Sequence, residues 1–353
     1  MPVPSAESQL AFLRDVQAVL EDGQFVATYK FALLIALADL AVESGADDDA
    51  PCSIALESIA AKFVEYYWQQ AGPYAGAVRT EVLLQNTGRQ ASVVSLLAEE
   101  RRRGVSTLPQ LRADPRRWRS ILARVARTIR DQPLHRLQVV AGRPRPFLYL
   151  HDDDPSGIVL LPGVAHHLRR FHPLVTGLAR DRWMGQIRRI PANLYAIGQT
   201  QDLEVFLFGA DRLPIGRHLP LLRKHQHGFC LYCGRRLNEG DAHVDHFVPW
   251  SLHRFDALPN LVAAHAHCNL DKRDMLAAEM HLERWVERNA ALAGAGDGSR
   301  SIGSEEPFLS ARDTAIRIAG WAYGRAFEIG AATWLSGRRT EPLSGRFRAL
   351  LRT

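Results

Sequence analysis

The 353-residue sequence predicts an α+β protein that is mainly α, and three observations carry that reading. Apolar residues recur at three- and four-residue spacing through most of the first hundred positions and again from Met280 onward, the period of helices that bury one face. Segments with strand character are short and lie in the middle, at 137–140, 147–150 and 158–161. Charged residues make up 23% and hydrophobic residues 46%, which excludes wholesale disorder, collagen-like repeats and a long coiled coil. At roughly 150 residues per domain the length implies two or three domains. Shifts in composition divide the chain into an acidic N-terminal helical bundle (1–104), a basic mixed α/β region (105–215), a His-, Cys- and Asn-rich module (216–283) and C-terminal helices (284–353).

Leu10, Leu13, Val16, Val19 and Leu20, then Phe31, Leu34, Ile35, Ala38 and Val42, predict two helices over 8–46 broken at Asp22-Gly23. The apolar run 31–38 is closed by Asp39 well short of a membrane span, so it is read as a core helix. Asp47 to Asp49 with Pro51 form a loop; Ile54, Ile59, Phe63 and Tyr67 mark a third helix, and 82–100 a fourth, interrupted at Gly88. Residues 1–100 carry net charge −9 and read as a scaffold or partner-docking domain. At Arg101-Arg102-Arg103-Gly104 the sign flips, and residues 101–353 carry net +15. Arg116, Arg119, Arg124 and Arg127 lie on one predicted helix with Trp118. They read either as a stripe that tracks a phosphate backbone or as a solvated face.

Further on, Asp152 to Asp154 followed by Pro-Ser-Gly is a turn rather than a metal site. A helix over 164–171 stops near Pro173, a Gly/Ser-rich linker covers 293–303, and a long helix runs over 309–334. The start has no basic segment ahead of an apolar stretch, so the expected location is the cytoplasm, without a membrane segment.

Three of the four cysteines fall within 39 positions. Cys230 and Cys233 are separated by two residues, as are His265 and Cys268, and 31 residues separate the two pairs. Two such pairs make a closed Cys3His site for a structural Zn2+; His267 is the competing fourth ligand. Between the pairs lies His243-Val-Asp245-His246-Phe-Val-Pro249-Trp250, then Asn260, and Asn269 and Lys272 follow Cys268.

An Asp-His strand ending at proline, an Asn 14 residues after the histidine and a second Asn beyond the last cysteine resemble the HNH endonuclease family over roughly 228–273. That resemblance implies a zinc-stabilised ββα-metal domain and a metal-dependent DNA endonuclease. Carried across by position, Asp245 and Asn269 would hold Mg2+ or Mn2+ through hard oxygens. His246 would be the general base, an imidazole being a group that titrates near neutrality. Asn260 would fix the loop and the His246 ring; Lys272, with Arg273 beside it, would contact a phosphate next to the metal. Asp245 and His246 are strand neighbours, so both reach one centre only if the strand twists or ends there. The reading from another class is a non-catalytic zinc module that binds nucleic acid within a multi-protein complex. The acidic bundle suits docking to other proteins, as in an anti-phage defence system.

Overall fold

The computed structural model of the chain describes residues 4–22, 26–74, 82–150, 156–197, 203–209, 215–238, 240–294 and 308–352. The expected break at Gly23, the turn at Asp152 to Asp154 and most of the 293–303 linker lie outside them. The chain divides into two compact units, Met1–Asp211 and Arg212–Thr353.

The first unit is built on α1 (Ala6–Asp22), α2 (Tyr29–Ser44), β1 (Cys52–Ala55), α3 (Leu56–Gln70), α4 (Ser92–Arg102), α5 (Leu108–Arg112) and α6 (Pro115–Ile129). It continues through β2 (Val139–Val140), β3 (Arg143–Pro144), β4 (Gly157–Leu160), α7 (Val164–Arg170), α8 (His172–Arg189), α9 (Pro191–Ile197) and α10 (Leu203–Phe208). α2 is the central helix, buried on nearly every side, as expected of a helix without a polar face. Its last carbonyls, at Ala41 and Val42, accept from the buried Arg169 guanidinium, which also grips Asp47 at 2.7 Å. A basic residue there satisfies carbonyls that the helix leaves open.

α6 buries Trp118, Ile121, Leu122, Val125 and Ile129 and is capped by Asp114, whose carboxylate accepts from the Arg116 and Arg117 amides at 3.1 Å. Arg116, Arg119, Arg124 and Arg127 are all exposed. α6 packs on α3 and α4, and Arg117 pairs with the buried Glu100. One core therefore runs across the boundary expected at 104.

Two expectations change here. β1 pairs antiparallel with β4, Cys52 opposite Leu160, a long-range ribbon that no local pattern announces. Residues 82–91 are not helical. Gln85 is instead a buried hub, its Oε1 accepting from Thr28 Oγ1 at 3.0 Å and Trp183 Nε1 at 2.9 Å. Leu84 exchanges hydrogen bonds with the Asn193 side chain. The helix expected over 164–171 is α7, which stops at Arg170, and Pro173 then sits in the first turn of α8, where its missing N–H has no partner to lose.

The second unit holds α11 (Leu219–His225), β5 (Ala242–His246), β6 (Leu261–His265), α12 (Ala266–Lys272), α13 (Glu279–Gly294), α14 (Phe308–Glu328), β7 (Ala332–Ser336), β8 (Arg339–Pro342) and α15 (Phe347–Leu350). β5 and β6 form an antiparallel ribbon with His246 opposite Leu261, and α12 follows directly, giving the ββα order. The helix expected to reach 334 stops at Glu328. Gly330 takes a φ of 63°, open to glycine at little cost, and the chain turns into the β7–β8 ribbon. Trp334 of β7 exchanges backbone hydrogen bonds with Leu276 and Ala278, so 284–353 shares a core with the preceding module. Among the described residues no helix is long and apolar enough to cross a membrane.

Candidate functional site

The turn at Cys230 and Cys233 is held by hydrogen bonds from Cys230 N to Arg235 O and from Gly234 N to Cys230 O, and it docks on β6 through Leu231 N to Ala263 O. Its partner pair arises where β6 meets α12: His265 is the last strand residue and Cys268 lies in the first helical turn. The donor atoms of Cys230, Cys233, His265 and Cys268 all lie within 4.8 Å of one another. Tetrahedral zinc with Zn–S near 2.3 Å needs donors roughly 3.8 Å apart, so the set fits that ion.

His265 presents Nδ1 to Cys233 Sγ at 3.2 Å, while Nε2 donates to Arg236 O at 3.1 Å. That carbonyl fixes the tautomer with Nδ1 as the ligating nitrogen. His267 is exposed and stacked on His265; its Nε2 lies 3.3 Å from Cys268 Sγ, but it is outside the four-donor cluster that includes His265. The Cys268 thiol is pushed up by its hydrogen bond to Cys230 and by burial, and the Cys230 thiol is correspondingly lowered by the same hydrogen bond.

The remaining site residues sit on β5, on the loop after it and on α12. Asp245 and His246 do point apart, and β5 ends at His246. Asp245 turns inward, its Oδ2 accepting from the Tyr232 hydroxyl at 2.5 Å and pairing with Lys272 Nζ at 3.0 Å. The Tyr232 hydroxyl is pushed well above its usual range by burial, with the Asp245 charge adding to it, so it stays a donor. Lys272 is completely buried and also donates to His246 O at 2.9 Å. The expected phosphate contact by Lys272 is corrected accordingly: its ammonium is spent on Asp245 and the strand. Arg273, next along, is exposed and carries a left-handed φ of 52°.

His246 faces the other way. Its Nε2 lies 2.7 Å from Asp256 Oδ1, and with the carboxylate as acceptor that nitrogen carries the proton, leaving the Nδ1 lone pair available. Asn260, buried, holds both ends of the loop: Oδ1 accepts from Val248 N at 2.9 Å, and Nδ2 donates to Val248 O at 3.2 Å and Phe255 O at 3.0 Å. Those residues flank His246 and Asp256. α13 backs the loop, with Trp285 stacked on Phe247 and Arg288 donating to Pro259 O and Leu261 O. Asn269 is half-buried on α12, between Cys268 and Lys272. Among the described residues no hydrogen bond joins its side chain to Asp245.

Tyr232 and Asp256 escape the sequence reading. Tyr232 lies inside the Cys-x-x-Cys gap, where only the cysteines draw notice. Asp256 is a loop acid whose only sequence signal is its place between His246 and Asn260.

Residues 230–274 match the family model of the HNH endonuclease, the stretch that contains both cysteine pairs, β5, β6 and α12. Over these residues the chain thus carries an HNH endonuclease domain. Residues 9–140 match a domain of unknown function (DUF8808). No curated protein and no solved structure matches the chain.

Proposed function

We propose that the protein hydrolyses DNA phosphodiester bonds with His246 as general base. The supporting observation is the His246–Asp256 pair at 2.7 Å at the end of β5. It orients the imidazole and leaves Nδ1 to take a proton from water as the water oxygen bonds to phosphorus and the bond to the 3′ oxygen breaks. Asp245 Oδ1 and the Asn269 amide oxygen are the hard donors for a divalent cation, Mg2+ or Mn2+. One carboxylate with an amide suits a site completed by waters and substrate phosphate oxygens. When bound, the cation supplies Lewis-acid polarisation of the phosphate and stabilises the leaving 3′ oxygen. Lys272 and Tyr232 position Asp245, and Asn260 positions the loop. Cys230, Cys233, His265 and Cys268 hold structural Zn2+. The exposed arginines of α6 bind DNA phosphates, with Arg273 nearer the site.

Lys272 also favours a second reading. A buried ammonium 3.0 Å from Asp245 already neutralises the carboxylate that would hold the cation, as suits a zinc module that binds nucleic acid without cutting it.

Supercoiled plasmid incubated with purified protein and Mg2+ or Mn2+ separates the two. The wild type is expected to produce nicked or linear product, and His246→Ala to lose about a hundred- to ten-thousand-fold in rate, the contribution of such a base, while still binding DNA. Binding without any cleavage by the wild type in either metal establishes the second reading.

A further inference from the structure

The first unit contains a cavity of about 790 Å3 between the start of α2, residues 86–92, α4 and the end of α6. Its volume lies within the range of small-molecule sites. Among the described residues six cations line it, Lys30, Arg89, Arg102, Arg103, Arg124 and Arg136, against the single carboxylate of Glu99. Glu99 is already engaged by Arg102 at 2.7 Å and Arg103 at 3.0 Å. Among the described residues, no carboxylate pairs with Arg89, Arg124 or Arg136.

The charge excess extends into the protein interior. Lys30 is 7% exposed, and both its burial and the nearby Arg136 press against its charge, bringing its pKa down to about 8. Keeping like charges together at a partly enclosed site is costly unless an anion joins them. Two helices begin at the cavity wall, α2 through Tyr29 and Lys30 and α4 through Ser92, and neither has an acidic residue in its first turn. Their dipoles add to the positive potential. The opposite wall includes Gln132 and Pro133, from a π-helical turn at Arg130–Leu134 that extends α6, a widened turn often found at functional sites.

We propose that this cavity is a binding site for a small ligand carrying at least two phosphate groups, of the nucleotide or inorganic polyphosphate class. Several converging cations ask for more than one anionic group, and a cavity of about 790 Å3 is of the size that holds a small molecule. All the lining residues fall within the 9–140 stretch, apart from the nuclease domain, so the inference stands independently of whether that domain cuts DNA.

The test is calorimetric titration of the full-length protein with inorganic pyrophosphate and, separately, with ATP, each in excess Mg2+ so that neither probe strips zinc. Arg89→Gln/Arg136→Gln is the matched variant. Both arginines are exposed, so the variant keeps its fold, checked by its melting temperature without probe; Lys30→Gln is the second variant. Binding of either probe below ~1 mM is expected, weakened about tenfold or more in the double variant through lost charged hydrogen bonds. Tighter binding of ATP than of pyrophosphate assigns the rest of the cavity to the nucleoside, and equal binding assigns the site to phosphate alone. No binding of either probe, or unchanged affinity in the double variant, overturns the proposal. So does a short DNA duplex that loses affinity in the double variant when neither small probe binds.

Discussion

At the scale of single residues, the site is organised by what each charged group is already bonded to. Asp245 is held from one side by a hydroxyl and from the other by an ammonium, both on Oδ2, so only Oδ1 remains for another ligand. Asp256 holds His246 by the nitrogen opposite the one that would accept a proton. Asp256 is exposed, so replacing it costs little stability. Asp256→Ala is expected to lower kcat for plasmid nicking by about 10- to 100-fold, the range for carboxylates that orient ligating histidines, with KM and melting temperature nearly unchanged. Asp256→Glu should recover part of the rate. Equal rates for Asp256→Ala and wild type would remove the pair from the mechanism.

At the scale of elements, the knuckle turn and the β6–α12 junction are joined through one four-donor set, and a metal held only by that folded arrangement adds its binding free energy to folding. One equivalent of zinc should therefore co-purify. Elemental analysis should find it lost in Cys268→Ser together with a large drop in melting temperature, whereas His267→Ala should retain it, since His265 supplies the nitrogen. Zinc loss in His267→Ala and not in His265→Ala would reverse that assignment. α6 makes a separate prediction. Its buried stripe faces the core while Arg116, Arg119, Arg124 and Arg127 are exposed, Arg124 also lining the cavity of the first unit. Changing all four to Gln should leave the fold intact, weaken DNA binding on every sequence alike and reduce the salt slope by about 3 to 4, near one counterion per phosphate contact. An unchanged slope in a filter-binding titration would make them a solvated face.

At the scale of the whole molecule, the second unit is closed by its C-terminal ribbon. Trp334 meets Tyr232 edge-on at 5.2 Å and stacks on His281 at 5.4 Å. It thus backs the side chain that holds Asp245, about a hundred residues earlier in the chain. Trp334→Ala should cost about 3–5 kcal/mol, as large aromatic deletions from cores do, and should lower zinc retention along with thermal stability. If 284–353 were a separate region, the variant would melt in two steps with the zinc-dependent step unmoved; calorimetry reads the difference.

The sequence by itself determined the features whose chemistry is local. A two-residue gap between ligands is what a metal-binding turn requires, so the Cys230/Cys233 and His265/Cys268 pairs were legible, as were the Asp-His strand and the two asparagines that follow it. Periodicity sufficed for α2 and α6, because burial of one face repeats every three to four residues. Tertiary structure alone decided the rest. Residues 82–91 have a helix-compatible pattern but give their backbone and Gln85 to Thr28 at the cap of α2, Trp183 on α8 and Asn193 on α9. The end of the predicted last helix becomes a ribbon because Trp334 gains a place against Tyr232 and His281. Lys272 has the spacing to reach a phosphate, yet is buried against Asp245, and Asp256 earns its role only by lying near His246. Spacing along a chain constrains neighbours three or four residues apart; which distant side chain occupies a donor or fills a core is settled by folding, where the desolvation of each polar group must be met by whatever partner the packing brings to it.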